Sequence, residues 1–172
     1  MTAFKPEGAL LPTAQNVKTL SSASLLREAF HSGTILEGRA ILCDAQHNLH
    51  VDLGCMKGII PKNEGALGIE DGSVRDIALI SRVNKSVIFK ITGFKTDEKK
   101  GETYALLSRR KVQELCRDEY ISSLHPGDII DAAVTHLEPF GAFCDVGAGL
   151  SALLPIDSIS VSRIPHPAAR FS

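Results

Sequence analysis

Apolar residues recur at helical spacing in two segments of the chain. The first segment, SSASLLREAFHSG, lies between a possible serine cap and Gly33. The second segment, SRRKVQELCRDEYISSLHPG, ends at Pro126 and Gly127. The pattern predicts a helix before residue 33 and a linking helix at 109–125, each followed by a β-rich stretch.

Residues 1 to about 20 show a different pattern, with scattered Pro, Gly, Ser and Thr and without apolar periodicity. This composition predicts a loosely ordered N-terminal arm. The segment also lacks the charged-then-apolar layout of a secretion signal, and no stretch of the chain approaches the length of a membrane span. We therefore expect a cytoplasmic protein that has no membrane partner.

Strand-like apolar runs follow each helical segment. Runs at 40–43, 49–53 and 58–60 alternate with Asp, Asn and Gly turns and predict a three-stranded meander. Further runs at 76–81, 86–92 and 103–108 bring the total to five or so strands. A mainly β fold is expected, because an antiparallel sheet of five strands with one polar face closes most economically into a barrel.

Two of the β-rich stretches match each other. Residues 51–54 align with 144–147, and residues 58–61 align with 152–155, at offsets of 93 and then 94. Internal duplication explains this match. We expect an arm and helix at 1–32, a complete first barrel at 33–108, a linking helix at 109–125, and a second barrel at 126–172 that lacks its closing strands.

The charged residues bear on nucleic-acid binding through their uneven distribution along the chain. The net charge of −1 argues against nucleic-acid binding, which usually needs a basic surface. Residues 75–117, however, contain 11 Lys or Arg and 5 Asp or Glu, a surplus of +6, so the remainder carries −7. The alternative interpretation is a solvated charged face.

A known family resembles the second β-rich stretch. Residues 140–147 read FGAFCDVG and are followed by LLPIDS at 153–158, which is similar to FGAFVDLG and GLVHISE in the RNA-binding repeats of the ribosomal protein S-one family. Residues 95–101 and 106–110 resemble that family's charged loop and terminal strand. The resemblance implies an oligonucleotide-binding (OB-fold) barrel that binds single-stranded RNA, either mRNA or rRNA, with the ribosome as a further partner and without a cofactor.

The aromatic pair in FGAF is the main candidate site. Gly141 permits a bulge that would turn the rings of Phe140 and Phe143 to one surface, where bases can stack. The alternative is that one ring is part of the core. Further expected RNA-binding residues are His136, Arg163, His166, Lys95 and Arg109.

The first copy departs from the family. His47 and His50 stand where the second copy has its two phenylalanines, and histidine gives a smaller stacking surface. The family's histidine in VHIS is Pro61 in the first copy and Pro155 in the second. His47 and His50 stay among the candidate RNA contacts, although this copy is expected to bind more weakly.

Other functions have less support in the sequence. Cys43, His47, His50 and Cys55 could ligate zinc, but strand spacing would place Cys55 about 16 Å from His50. No nucleotide-loop, hydrolase or zinc-protease motif is present, so we predict neither catalysis nor a bound metal. The remaining rival is a protein-interaction or ribosome-docking module built on a degenerate barrel.

Overall fold

A computed structural model describes residues 4–159 of the chain. Five strands form a closed barrel in the order β1-β2-β3-β5-β4. They are β1 (Leu36–Cys43), β2 (Leu49–Asp52), β3 (Lys57–Ile60), β4 (Ser86–Asp97) and β5 (Glu102–Ser108). The predicted mainly β architecture is confirmed.

Alternation along the strands builds the barrel core. In β2, Leu49 and Val51 are fully buried while Asp52 is exposed, and in β4 Val87 and Phe89 point to the same interior. Leu107 of β5 completes this buried cluster. Period-two burial is the reason that the apolar runs identify these strands in the sequence.

One pairing differs from the all-antiparallel prediction. Strand β3 runs parallel to β5, with Gly58 opposite Ala105 and Ile59 opposite Leu106, whereas the other barrel pairs are antiparallel. A parallel pair needs a long crossover, and the chain between β3 and β5 supplies it. The sheet is therefore mixed.

The strand predicted at 76–81 is wrong. The structure has a short helix there, α3 (Ile77–Ile80), which buries Leu79 against the barrel core. Asp76, just before this helix, lies 3.1 Å from His47 Nδ1 and 3.2 Å from Lys62 Nζ. A single turn is too short for its apolar residues to reveal helical periodicity.

The N-terminal region is more ordered than predicted. It contains α1 (Ala14–Leu20) and the expected helix α2 (Ala23–Ser32), which ends at Gly33 with a left-handed φ of 68°. Phe4 is buried, and so is the carboxylate of Glu7. These contacts involve partners far along the chain, so local composition could not reveal them.

A helical segment lies at 109–123, within the range predicted for the linking helix. It consists of α4 (Arg109–Leu115), a π-helical turn (Cys116–Tyr120) and a 3-10 turn (Ile121–Ser123). A second buried cluster forms on this helix and includes Phe4, Val112, Tyr120 and Ala148. The helix thereby contacts both the N-terminal region and the part of the chain that follows it.

A separate antiparallel sheet follows the linking helix, in the order β6-β7-β8. Its strands are β6 (Ala133–Glu138), β7 (Gly141–Asp145) and β8 (Ser151–Pro155), and α5 (Ile156–Ile159) follows β8. Among the helices in residues 4–159, none combines the length and the apolar character that crossing a bilayer requires.

Candidate nucleic-acid interface

The middle strand of the three-stranded sheet carries a row of side chains across one face. Phe143 of β7 lies opposite His136 of β6 and opposite Leu153 of β8. The His136 and Phe143 rings are 27° from parallel, with centroids 6.3 Å apart. Directly opposite residues share a face of a sheet, so the three side chains form one cross-strand row.

A second ring extends this row at the end of β7. Phe140 lies in the turn before the strand and is 54% exposed, while Phe143 is half-buried. The two ring centroids are 6.1 Å apart and the rings are perpendicular. An edge-to-face pair leaves ring surface open, which is what base stacking requires.

The bulge predicted at Gly141 is in the neighbouring strand instead. Gly141 is paired normally with Glu138 on one side and Pro155 on the other. The register shift falls between Val134 and His136 of β6. The extra residue there is Thr135, whose hydroxyl donates to the Phe143 carbonyl over 3.2 Å.

Gly141 is needed for a different reason, which is close approach of two strands. A Cβ at this position would lie 2.5 Å from the Leu154 carbonyl oxygen. Just beyond, the Ile156 amide donates to the Phe140 carbonyl over 2.9 Å and closes this end of the β7–β8 pair. Both features fix the backbone that presents Phe140.

Asp145, at the end of β7, holds the following turn. Its Oδ1 accepts hydrogen bonds from the amides of Gly147 and Gly149, and its Oδ2 accepts one from the amide of Glu7. All three bonds are 2.8 to 3.0 Å long. The carboxylate is thus used to organise the backbone.

The histidines of the first barrel are bound by carboxylates. His47 Nδ1 lies 3.1 Å from Asp76, and His50 Nε2 lies 3.0 Å from Asp44. The hydrogen bond from His50 lowers the pKa of Asp44 to about 2, with help from the Asn48 amide. Each of the two histidines therefore lies against one carboxylate, and Lys62 shares that of Asp76.

The outer face of β2 and β3 borders an open groove of about 830 Å³. It contains His50 and Ile59, which are directly paired across the two strands. Acidic and basic side chains share the rim, namely Asp52, Asp97, Glu102, Lys57 and Lys100. This face thus has Tyr104 and His50 in place of a phenylalanine pair, and mixed charge in place of the uniform positive charge that would favour RNA.

The predicted phosphate contacts differ in accessibility. Lys95 of β4 is exposed, and no described carboxylate lies within ion-pair distance of it. Arg109 is buried and donates to both carboxylate oxygens of Glu7 at 2.8 Å, so it does not face a ligand. Arg163 and His166 lie outside the described residues.

Sequence reasoning missed Leu153, which is 46% exposed beside Phe143. The sequence match of residues 58–61 with 152–155 aligns Leu153 with Ile59, and the structure pairs Leu153 with Phe143 and Ile59 with His50. Within residues 4–159, no three or more His, Cys, Asp or Glu side chains are grouped to hold a metal ion.

Comparison with known proteins identifies the second sheet. Residues 123–172 match the family model described as the S1 RNA binding domain. The chain is 27% identical over 165 residues to small ribosomal subunit protein bS1 of Staphylococcus aureus strain COL, and 30% identical over 146 residues to bS1 of Rhodopseudomonas palustris. These alignments cover 93% and 83% of this chain.

The chain spans only 39% and 24% of those two relatives. A solved structure of GSP13 from Bacillus subtilis shows 22% identity and a TM-score of 0.36, covering 56% of this chain and 62% of that protein. The sequence matches thus place an S1 RNA-binding domain at residues 123–172 and show homology to bS1, and they do not show a tandem arrangement.

Proposed function

We propose that this protein binds single-stranded RNA, without catalysis, through the exposed face of β6, β7 and β8. The observation that carries the proposal is the aromatic row of Phe140, Phe143 and His136, which lies inside the S1 RNA-binding match. Rings on a small sheet stack bases with little sequence preference. Single strands are favoured because their bases are free to stack.

Phosphate contacts complete the proposed mechanism. Lys95 is exposed and available on the first barrel, and Arg163 and His166 follow the sheet in sequence. We propose mRNA or rRNA as the ligand, the cytoplasm as the compartment and the ribosome as the site of action. Homology to a small-subunit ribosomal protein supports this setting.

The stacking mechanism predicts a large effect of removing the rings. Phe140→Ala and Phe143→Ala should each weaken binding of a short single-stranded RNA by about 1 to 3 kcal/mol, measured by fluorescence anisotropy at moderate salt. Ile129→Ala is the matched control, because Ile129 is 99% exposed in the loop before β6. Equal affinity for duplex and single strand would contradict the proposal.

We also propose that residues 33–108 and 126–172 are two copies of one unit. The support is a shared register: Leu42 pairs with His50 after an irregularity at Ile41, as His136 pairs with Phe143 after one at Thr135. In this alignment the first copy has histidine at the position of Phe143. The second copy would be the one that binds RNA through this position.

A protein-docking role for the first barrel is the second candidate function. Four aliphatic side chains on β1 and α3 are exposed, Ile77 the most, at 63%; the others are Ile41, Leu42 and Ile80. Binding of a purified protein partner that persists at high salt and survives Phe140→Ala and Phe143→Ala would favour docking. Binding of RNA, in contrast, should weaken at high salt and in both phenylalanine variants.

A further inference from the structure

The first barrel carries a second aromatic and basic cluster, away from its hairpin histidines. Phe30 of α2 and Phe94 of β4 meet with ring centroids 5.8 Å apart at an angle of 87°. His31 lies beside Phe30, with centroids 5.2 Å apart. We call Arg27, Phe30, His31, Lys90 and Phe94 the helix-edge cluster.

The helix-edge cluster repeats the chemistry of the candidate interface. Phe140 and Phe143 are also perpendicular, at 6.1 Å, and His136 lies beside Phe143. Each cluster therefore combines an edge-to-face phenylalanine pair with one histidine. The clusters differ because, among residues 4–159, an arginine stacks on a ring in the helix-edge cluster and not at the candidate interface.

Arg27 and Lys90 give the cluster its positive charge. The Arg27 guanidinium carbon lies 5.1 Å from the Phe94 ring centroid, a cation–π arrangement. Lys90 Nζ reaches the end of α2, where it is 3.7 Å from the position of a Cβ on Gly33. In residues 4–159, no carboxylate lies within ion-pair distance of Arg27, His31 or Lys90.

Partial exposure separates this cluster from ordinary core packing. Phe30 and Phe94 pack against the barrel core but remain half-buried, while Arg27 and His31 are exposed. A ring pair that only closed the barrel would need no unpaired cations at its edge. Planar Arg and aromatic groups beside free cations match the two surfaces of a nucleotide, its base and its phosphate.

We propose that the helix-edge cluster is a second contact site for single-stranded RNA, which stacks a base on Arg27 and the phenylalanine pair and holds phosphates with Lys90 and His31. This inference rests on the proposed function. It places RNA on the first barrel at α2 and β4 instead of at the hairpin, where carboxylates bind His47 and His50.

The test is binding of a single-stranded RNA of about 12 nucleotides to the full chain by fluorescence anisotropy. Arg27→Glu removes the planar cation, and Phe94→Leu keeps an apolar side chain but cannot stack. Lys18→Glu is the matched control, because it makes the same charge change at an exposed position on the neighbouring helix α1.

Arg27→Glu and Phe94→Leu should each weaken RNA binding about fivefold or more, and Lys18→Glu should weaken it less. Photocrosslinking with 4-thiouridine RNA should label peptides containing residues 27–31 or 90–94. An Arg27→Glu effect no larger than that of Lys18→Glu, with no such crosslink, overturns the site. Displacement of RNA by a polyglutamate peptide of equal affinity overturns it in favour of an acidic protein partner.

The two proposals can fail separately. Loss of binding in Phe140→Ala and Phe143→Ala, with no effect of Arg27→Glu or Phe94→Leu, overturns the helix-edge site alone. The reverse pattern overturns the β6-β7-β8 site and supports the helix-edge cluster. No RNA binding by the wild-type chain overturns both.

Discussion

Each residue of the FGAF motif has a different physical task. Phe140 is exposed in the turn, Phe143 lies in the cross-strand row, and Ala142 between them is fully buried on the opposite face. Gly141 lets β8 approach. The motif thus combines two exposed or half-exposed rings, which the proposed RNA binding uses, with a glycine that the close approach of β8 requires whether or not RNA binds.

This division predicts a stability effect for Gly141→Ala. The new Cβ would lie 2.5 Å from the Leu154 carbonyl oxygen, so the β7–β8 pair must separate. We expect a loss of about 1 to 3 kcal/mol in the free energy of unfolding, measured by urea denaturation.

Gly93→Ala is the control for this substitution. Gly93 also lies within a strand, but a Cβ there would meet no atom within 4 Å. An equal loss in both variants would show that glycine at position 141 serves only backbone flexibility.

At the scale of elements, the N-terminal segment of residues 4–11 acts as a clamp on the barrel. Burial alone would raise the pKa of Glu7, but Arg109 and Arg82 outweigh it and hold that pKa below its usual range. Glu7 also accepts a hydrogen bond from the Ile88 amide at 2.8 Å. The carboxylate thereby joins the segment to β4 and α4.

Glu37 of β1 holds the same segment from the barrel side. Its carboxylate accepts hydrogen bonds from the amides of Gly8 and Leu11, and from the Ser86 hydroxyl, all at 3.0 Å. Burial raises the pKa of Glu37 despite these bonds. Two buried carboxylates therefore fix residues 4–11, namely that of Glu7 in the segment itself and that of Glu37 in the barrel.

Glu7→Ala should destabilise the protein strongly. The substitution leaves Arg109 buried without its partner, which typically costs about 3 to 5 kcal/mol, as measured by chemical denaturation. Glu28→Ala, at an exposed position on α2, should change the unfolding free energy little. Similar effects of both substitutions would contradict the clamp.

Sequence patterns predicted the elements whose signal is local. Short apolar runs predicted the barrel strands, and apolar residues at helical spacing predicted α2 and the linking helix. The order of residues 4–11 escaped prediction because Glu7 and Arg109 are 102 positions apart. The contacts of His47 and His50 with carboxylates also depend on the fold. The sequence therefore predicted these histidines as RNA contacts without revealing their partners.

At the scale of the whole molecule, the first barrel and the S1 sheet share a seam. Gln113 of α4 accepts a hydrogen bond from the Leu67 amide at 2.8 Å and donates to the Ala148 carbonyl at 3.1 Å. Ala148 is fully buried, and its amide donates to the Lys5 carbonyl. The turn after β7 is therefore held by α4 and the N-terminal segment together.

Gln113→Ala should weaken this seam. It removes both hydrogen bonds of a buried side chain, which should cost about 1 to 3 kcal/mol in unfolding free energy. Hydrogen exchange should rise at residues 145–150 in particular. Gln15→Ala, at an exposed position on α1, is the control, and equal exchange in both variants would contradict a shared seam.

The bond from Glu7 to Asp145 spans 138 positions and has a consequence for biosynthesis. Chains emerge from the ribosome at about 5 to 20 residues per second, so Glu7 waits roughly 7 to 30 seconds for this partner. Arg82 and Arg109 emerge earlier and can neutralise the waiting carboxylate first. Residues 4–11 therefore complete their contacts only after residues much further along the chain have been translated.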